Sequence, residues 1–137
     1  MAEHAFWALQ KAVYQHLASD AGLLAVLGGS KIFDDVPRTA TFPYVSLGAG
    51  QTSDWSTGDS DGAEHVLTLN VWSRAGGRRE VLSIAEVVRE ALVDAELTLS
   101  DHRLVLLRMI GLDVRRGADG ETYQGILRFR MLTEANG

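Results

Sequence analysis

The spacing of apolar residues along the chain predicts three helices. Apolar side chains recur at intervals of three and four residues over residues 2–18, 21–27 and 78–95, which places them on one face of each helix. Asp20 is expected to cap the second helix, and Gly28 follows its last turn. The expected apolar stripe of the third helix consists of Val81, Ile84, Ala85, Val88, Leu92 and Ala95.

Alternation of apolar and polar residues predicts the strands. We expect strands over residues 42–47, 63–73, 103–116 and 121–132, and a shorter strand at 32–33 is a further candidate. In the second of these strands, His65, Leu67, Leu69 and Val71 point one way, and Val66, Thr68, Asn70 and Trp72 point the other.

The last two strands are expected to form a long hairpin, because Asp119-Gly120 between them tolerates positive φ. Strands of about eleven residues reach roughly 36 Å, so the excess length is expected to project beyond the monomer or to pair with something. The expected core face carries Leu106, Ile110, Leu112, Val114, Tyr123, Leu127, Phe129 and Met131. The expected outer face carries Arg103, Asp113, Arg115, Gln124, Arg128 and Arg130.

These elements define an α+β fold in the order α-α-β-β-α-β-β. Two main helices are expected to cover one face of a mainly antiparallel sheet. With no internal repeat or linker in the sequence, residues 1–137 are expected to form one domain. Residues 48–62 are rich in glycine and aspartate and are expected to form a long loop, of a length that is usually functional or disordered.

Composition indicates an ordinary globular protein. Apolar residues make up 46% of the chain and charged residues 23%. No apolar run approaches twenty residues, so no membrane span is expected, and Glu3 and His4 argue against a secretory signal. Cysteine is absent, which excludes disulfides and thiolate chemistry and fits a reducing compartment.

Charge is unevenly distributed along the chain. The net charge is −5, and residues 1–70 carry all of that excess, with eight acidic and three basic side chains. Residues 71–137 carry ten of each. Because adhesive binding of nucleic acid needs a basic footprint, any contact with DNA is expected to be transient.

The sequence offers little catalytic chemistry. None of the four histidines pairs with another at a metal-binding spacing, and no GxSxG segment is present. Asp54, Asp59 and Asp61 resemble part of a calcium loop but lack its closing glutamate, so a solvated acidic loop is the favoured interpretation. We therefore expect no enzyme activity, no metal and no cofactor.

Two features indicate an interface. Trp55 in the acidic loop and Trp72 at a strand end are large aromatic residues that either mark a partner contact or fold back over the sheet edge. The arginines on the outer face of the hairpin form a basic stripe in an acidic protein, which consists of Arg103, Arg115, Arg128 and Arg130. They either face solvent with Asp113 as a partial partner, or pair with the acidic loop of a neighbouring copy, which is what a closed ring needs. The candidate interface residues are Asp54, Trp55, Asp59, Asp61, Trp72, Arg103, Arg115, Arg128 and Arg130.

Nearly the whole chain resembles the phage neck and tail-completion family, which includes tail terminators of long-tailed phages and of gene transfer agents. The most specific segments are Phe42-Pro43-Tyr44, residues 52–62 with Asp54-Trp55, residues 69–73 (LNVWS), and the 123–130 segment YQGILRFR.

The resemblance implies a structural role in a virion assembled in the bacterial cytoplasm. Such proteins form a hexameric ring on the head-proximal end of the tail tube, stop polymerisation of the major tail protein and dock the head-side stopper or connector, and DNA passes through the lumen. A head–tail stopper or adaptor of the same neck is the alternative. A small hydrolase or ligand-binding domain is a third hypothesis, which would need a pocket with converging polar groups.

Overall fold

A computed structural model describes residues 4–59, 61–93 and 95–136. The chain has the predicted α+β architecture, with helices on one face of a mostly antiparallel sheet. The elements are α1 (Ala5–Ala18), α2 (Ala21–Leu27), β1 (Ile32–Phe33), β2 (Tyr44–Asp54), β3 (Gly62–Ser73), α3 (Arg79–Leu92), β4 (His102–Arg116) and β5 (Tyr123–Ala135).

The described strands form one sheet in the order β1-β2-β3-β5-β4. The short candidate strand at 32–33 is confirmed as β1, which pairs parallel with β2, while all other neighbours are antiparallel. β5 lies between β3 and β4 and pairs with β3 along Tyr123–Glu134. Of the two outcomes expected for the long hairpin, pairing is the one that the structure shows, because β3 is long enough to match β5 along its length.

The helices begin and end within three residues of the predicted positions, except that the predicted start of the first helix, at residues 2 and 3, lies outside the described residues. Asp20 caps α2 by accepting a hydrogen bond from the Leu23 backbone N–H, and Gly28 ends it in the left-handed conformation. In α3, the predicted stripe is buried from Val81 to Leu92, whereas Ala95 lies beyond the end of the helix.

The prediction of a loop over residues 48–62 is wrong for residues 48–54, because β2 continues to Asp54. Residues 55–61 alone lie between β2 and β3. The outer half of β2 is exposed and lies along a sheet edge, so its sequence lacks the apolar alternation that predicts a strand. A bulge between Leu47 and Gly50 breaks the pattern further.

The predicted core face of β4 is wrong at Leu106 and Ile110, and Leu112, although it lies on the helix-covered face, is exposed and not part of the core. Bulges between Leu104 and Leu106 and between Met109 and Gly111 each shift the alternation by one residue. Between the two bulges, Leu107 and Met109 pack against the core, while Ile110 is exposed. Beyond the second bulge the original alternation returns.

Close approach of helix to strand requires glycine at two places in the sheet. A Cβ on Gly50 would lie 2.0 Å from Cζ of Phe6 in α1, and a Cβ on Gly125 would lie 2.9 Å from Cγ2 of Val81 in α3. These contacts set how closely the two main helices pack on the sheet.

His65 is a buried polar residue on the core face of β3. Its Nδ1 lies 3.0 Å from Oγ1 of Thr52 and its Nε2 lies 2.9 Å from Oγ1 of Thr133, so a neutral imidazole donates one hydrogen bond and accepts the other. Burial, with a smaller contribution from His4 and His102, lowers the pKa of His65. His65 therefore tethers three adjacent strands through its neutral form.

We expect Gly50→Ala to lower the free energy of unfolding by about 2 kcal/mol, because the added methyl group overlaps the Phe6 ring. Gly111→Ala is the matched control: it also lies in a strand and its Cβ would meet nothing within 4 Å. The control is expected to be neutral or slightly stabilising. Urea denaturation of both variants measures the difference, and equal stability would contradict the described packing of α1 on β2.

The free energy of unfolding is expected to fall as pH drops below 6.5, the ordinary pKa of histidine. Unfolded His65 binds a proton near that pH, whereas the folded form does so only at lower pH, so stability is present above 6.5 and lost below it. The loss between pH 7.5 and 5.5 should reach at most about 1.4 kcal/mol. His65→Gln should reduce this pH dependence, measured by urea denaturation at several pH values. If the free energy of unfolding of the variant depends on pH as strongly as that of the wild type, the pH dependence comes from other groups.

Candidate assembly interface

The face of the sheet opposite α1 and α3, which we call the open face, is predominantly polar and charged. Direct cross-strand partners share a face, so the register assigns the residues to it. On the open face, β3, β5 and β4 carry Glu64, Thr68, Asn70, Trp72, Gln124, Arg128, Arg130, Glu134, Arg103, Arg108, Asp113 and Arg115, together with the apolar residues Val66, Leu106, Ile126 and Leu132.

Three of the four predicted stripe arginines pair within the chain. Arg130 contacts Glu64 through Nε and Nη2, at 2.8 and 2.7 Å, and Arg128 Nη1 lies 2.9 Å from Asp113. Arg103 pairs with Glu134. Such partly exposed pairs each contribute about 0–1 kcal/mol. Pairing within the chain removes the need for a neighbour's carboxylate at these three positions.

Arg115 has a different environment from the other stripe arginines. It is exposed and forms no ion pair with any residue that the structure describes. Its cross-strand partner is Gln124, at the end of β5 that also adjoins Trp72. Of the four, Arg115 alone is left to contact an acidic partner.

Trp72 belongs to an aromatic cluster that the sequence interpretation missed. Its indole N–H donates to Ser46 Oγ at 2.9 Å, and its ring stacks on Tyr44 with 6.3 Å between centroids. Tyr44 also contacts Phe42 at 5.2 Å, and the Arg74 guanidinium lies 4.4 Å above the Phe42 ring. The two aromatic residues of Phe42-Pro43-Tyr44 were the sequence signal that could have predicted this cluster.

The acidic loop at 55–61, with Asp54 before it, lies at the other end of the strands. Hydrogen bonding to the side chain and backbone of Ser56 lowers the pKa of Asp54, and the Asp59 N–H donates to Thr57 Oγ1 at 3.4 Å. The Asp61 carbonyl accepts from the Ala135 N–H at 2.9 Å, which attaches the loop to the end of β5. All three aspartates are exposed and therefore available to a partner.

Trp55 is partly folded back over the sheet. Its backbone N–H donates to the Gly62 carbonyl at 2.9 Å, and Cε3 of its ring would lie 2.9 Å from a Cβ on Gly62. The side chain still exposes 38% of its surface. Trp55 therefore has one face against the chain and the other open to solvent.

The acidic loop and Arg115 lie at opposite ends of the sheet. The loop adjoins Glu134, whereas Arg115 and Trp72 flank Gln124. With roughly 3.3 Å per residue, about 30 Å separates these ends. A contact between the loop and Arg115 would thus join opposite ends of two copies.

The β4–β5 turn is held rigidly beside the aromatic end. Asp119 accepts from the Thr122 hydroxyl at 2.6 Å and from the backbone N–H groups of Thr122 and Glu121, which lowers its pKa to about 2. Gly120 adopts the left-handed conformation predicted for it, with φ of 74°, and its carbonyl accepts from Arg116. The turn keeps its shape over the whole physiological pH range.

The described residues contain no group of three or more histidine, cysteine, aspartate or glutamate side chains placed to hold a metal ion. Among the same residues, no helix is long and apolar enough to cross a membrane. Three clefts among the described residues lie along the sheet edges and beside the β4–β5 turn, and two more lie beside the helices. His65 is occupied by its two threonine partners.

A sheet with two chemically distinct ends and an exposed polar face is typical of structural proteins that build interfaces. The family model "Tail completion protein gp17" matches residues 11–134, and the chain belongs to this tail-completion family.

Relatives and solved structures agree with this family. The chain is 28% identical over 131 residues to tail completion protein gp17 of Bacillus phage SPP1, covering 94% of each chain. It is similar to a chain in the virion of a native gene transfer agent particle, with TM-score 0.89, 36% identity, and coverage of 97% of this chain and 100% of that one. The structure of the SPP1 gp17 protein gives TM-score 0.65 and 25% identity, covering 93% and 89%.

Trp55→Ala is expected to leave the chain folded, with a loss of about 1 kcal/mol, because the ring lies outside the core. Trp72→Ala is the comparison and should cost about 2 kcal/mol, since it removes the Ser46 hydrogen bond and the stacking on Tyr44. Urea denaturation gives both values. Global unfolding of Trp55→Ala would show that its ring belongs to the core.

Proposed function

We propose that this chain is the tail terminator of a phage-like particle. It forms a hexameric ring on the head-proximal end of the tail tube, stops polymerisation of the major tail protein and joins the tail to the head-side stopper or connector. The observation that carries the proposal is the near-complete match, at TM-score 0.89 and 36% identity, to a chain of a gene transfer agent virion. It also places the chain in a virion.

The two ends of the sheet suit a protein that joins different partners. The aromatic end presents Phe42, Tyr44 and the rigid turn around Asp119, whereas the opposite end presents the acidic loop. A terminator must match the last ring of the tube on one side and a different ring on the other. Two surfaces of unlike chemistry, about 30 Å apart, meet that requirement.

The charge of the chain suits passage of DNA through the ring. With a net charge of −5 per subunit, long-range repulsion discourages phosphate from binding to the wall. The ion pairs of Arg103, Arg128 and Arg130 neutralise three of the five arginines on the open face, which leaves Arg108 and Arg115 as its arginines without an ion pair to a described residue. DNA would therefore transit without specific binding.

Deletion of the gene in a particle-producing strain tests the function directly. Loss of a terminator should yield tails of irregular, excessive length that are not joined to heads, as seen by negative-stain electron microscopy. Expression of the wild-type chain from a plasmid should restore tail length and joining, which excludes an effect on neighbouring genes.

Filled heads that leak DNA, beside tails of normal length, would instead identify a stopper or adaptor. Particles of normal number, tail length and infectivity or transfer activity would refute a role in the neck altogether.

A further inference from the structure

β4 is an edge strand with exposed aliphatic side chains. It pairs with β5 on one side, and on its other side no described strand pairs with it beyond a single bridge between Leu99 and His102 at its start. Val105 and Ile110, the extra residues at the two bulges, expose 44% and 47% of their surfaces, and Leu112 is also exposed. Isolated exposed aliphatics are ordinary, but three on one outer strand form an apolar edge.

The opposite side of the sheet carries a complementary groove between α1 and β1. Its volume is about 330 Å³, enough for several aliphatic groups, and its walls include Trp7, Tyr14, Ile32 and Leu47. Trp7 exposes 50% of its surface, although the next two residues of α1, Ala8 and Leu9, are buried. Tryptophan and tyrosine are among the residues that most often anchor protein interfaces, and Trp7 and Tyr14 stand partly exposed beside this groove.

The two edges also carry opposite charge. β4 contains four arginines and one aspartate, a formal charge of +3, whereas Asp34 and Asp35 line the groove together with Lys11. Neither Arg108 nor Asp35 forms an ion pair with any described residue. With Asp34 and Asp35 against Lys11, the lining of the groove has a formal charge of −1, opposite in sign to that of β4.

We propose that the β4 edge of one copy docks into the α1–β1 groove of a second copy, with Ile110 and Val105 against Trp7 and Arg108 beside Asp35. The contact is head-to-tail, because the two surfaces lie on opposite edges of one sheet, and it can therefore repeat around a ring. This proposal deepens the proposed function, because it assigns the contact between neighbouring subunits of the ring. It rests on the proposed function only in that the contacts close into a ring.

The bulges favour side-chain docking over simple addition of a strand. Each bulge interrupts the regular row of backbone donors and acceptors and increases the local twist, which are devices that protect an edge from strand pairing. The same bulges turn Val105 and Ile110 outwards. The edge is thus shaped to present side chains to a groove.

Mixing two edge variants of the full chain tests the contact. Ile110→Arg damages the β4 edge and Trp7→Arg damages the groove, so each alone should self-associate at least about 30-fold more weakly than wild type in sedimentation velocity. Mixed together, they should form a 1:1 heterodimer and nothing larger, because one intact β4 edge and one intact groove remain. Circular dichroism checks that both variants are folded.

Leu82→Arg is the matched control. Leu82 exposes 43% of its surface on α3, away from both edges, and this variant should associate like wild type. Wild-type association by either edge variant, or a mixture that forms no heterodimer, would overturn the proposal.

If wild type is monomeric in solution, incorporation of tagged chains into particles is measured instead. Particles should exclude Ile110→Arg and Trp7→Arg and should incorporate Leu82→Arg. Incorporation of both edge variants would overturn the proposed contact. Exclusion of all three variants would overturn it as well. Failure of the terminator role is recognised separately, by normal tails in the deletion strain. Overlong tails in that strain with normal assembly of Ile110→Arg would refute the contact alone.

Discussion

Pairing of β5 with β3 is the constraint on which the other features depend. Twelve consecutive cross-strand partners hold the C-terminal strand in the middle of the sheet. The preceding strand, β4, is thereby forced to the outside, where one side of its backbone has no partner among the described strands. The same register places Leu127, Phe129 and Met131 under the helices and leaves the arginines on the open face. Core, open face and exposed edge are thus three consequences of a single pairing.

Regular periodicity made most of the fold predictable. The apolar stripe of α3 and the alternation of β3 lie where the spacing predicts them, because one face of each element is buried and the other is wet. The Asp119-Gly120 turn was predictable from local chemistry alone. Strand order was not, because it depends on pairing between residues far apart in the sequence.

Irregular segments escaped prediction for identifiable reasons. The outer half of β2 has no buried face, so its backbone pairing with β3 leaves no pattern in the sequence. The two β4 bulges shift which side chains face inwards, and a bulge has no reliable signature in one sequence. For the candidate interface, the exposure of Trp55 was predictable in part. The pairing of Arg103, Arg128 and Arg130 within the chain required the cross-strand register.

The sheet therefore presents different surfaces along its strands and across them. Its ends carry unlike chemistry along the strand axis, and its edges carry complementary chemistry across that axis. Identical copies joined edge to edge would leave both ends free for other partners, which is the geometry of a ring between a tube and a connector. A cryo-electron microscopy reconstruction of the particle neck tests this most directly. The account predicts a ring of this chain at the head-proximal end of the tube, with each β4 seated between α1 and β1 of its neighbour. Density for this chain at another place in the particle, or as isolated copies, would contradict it.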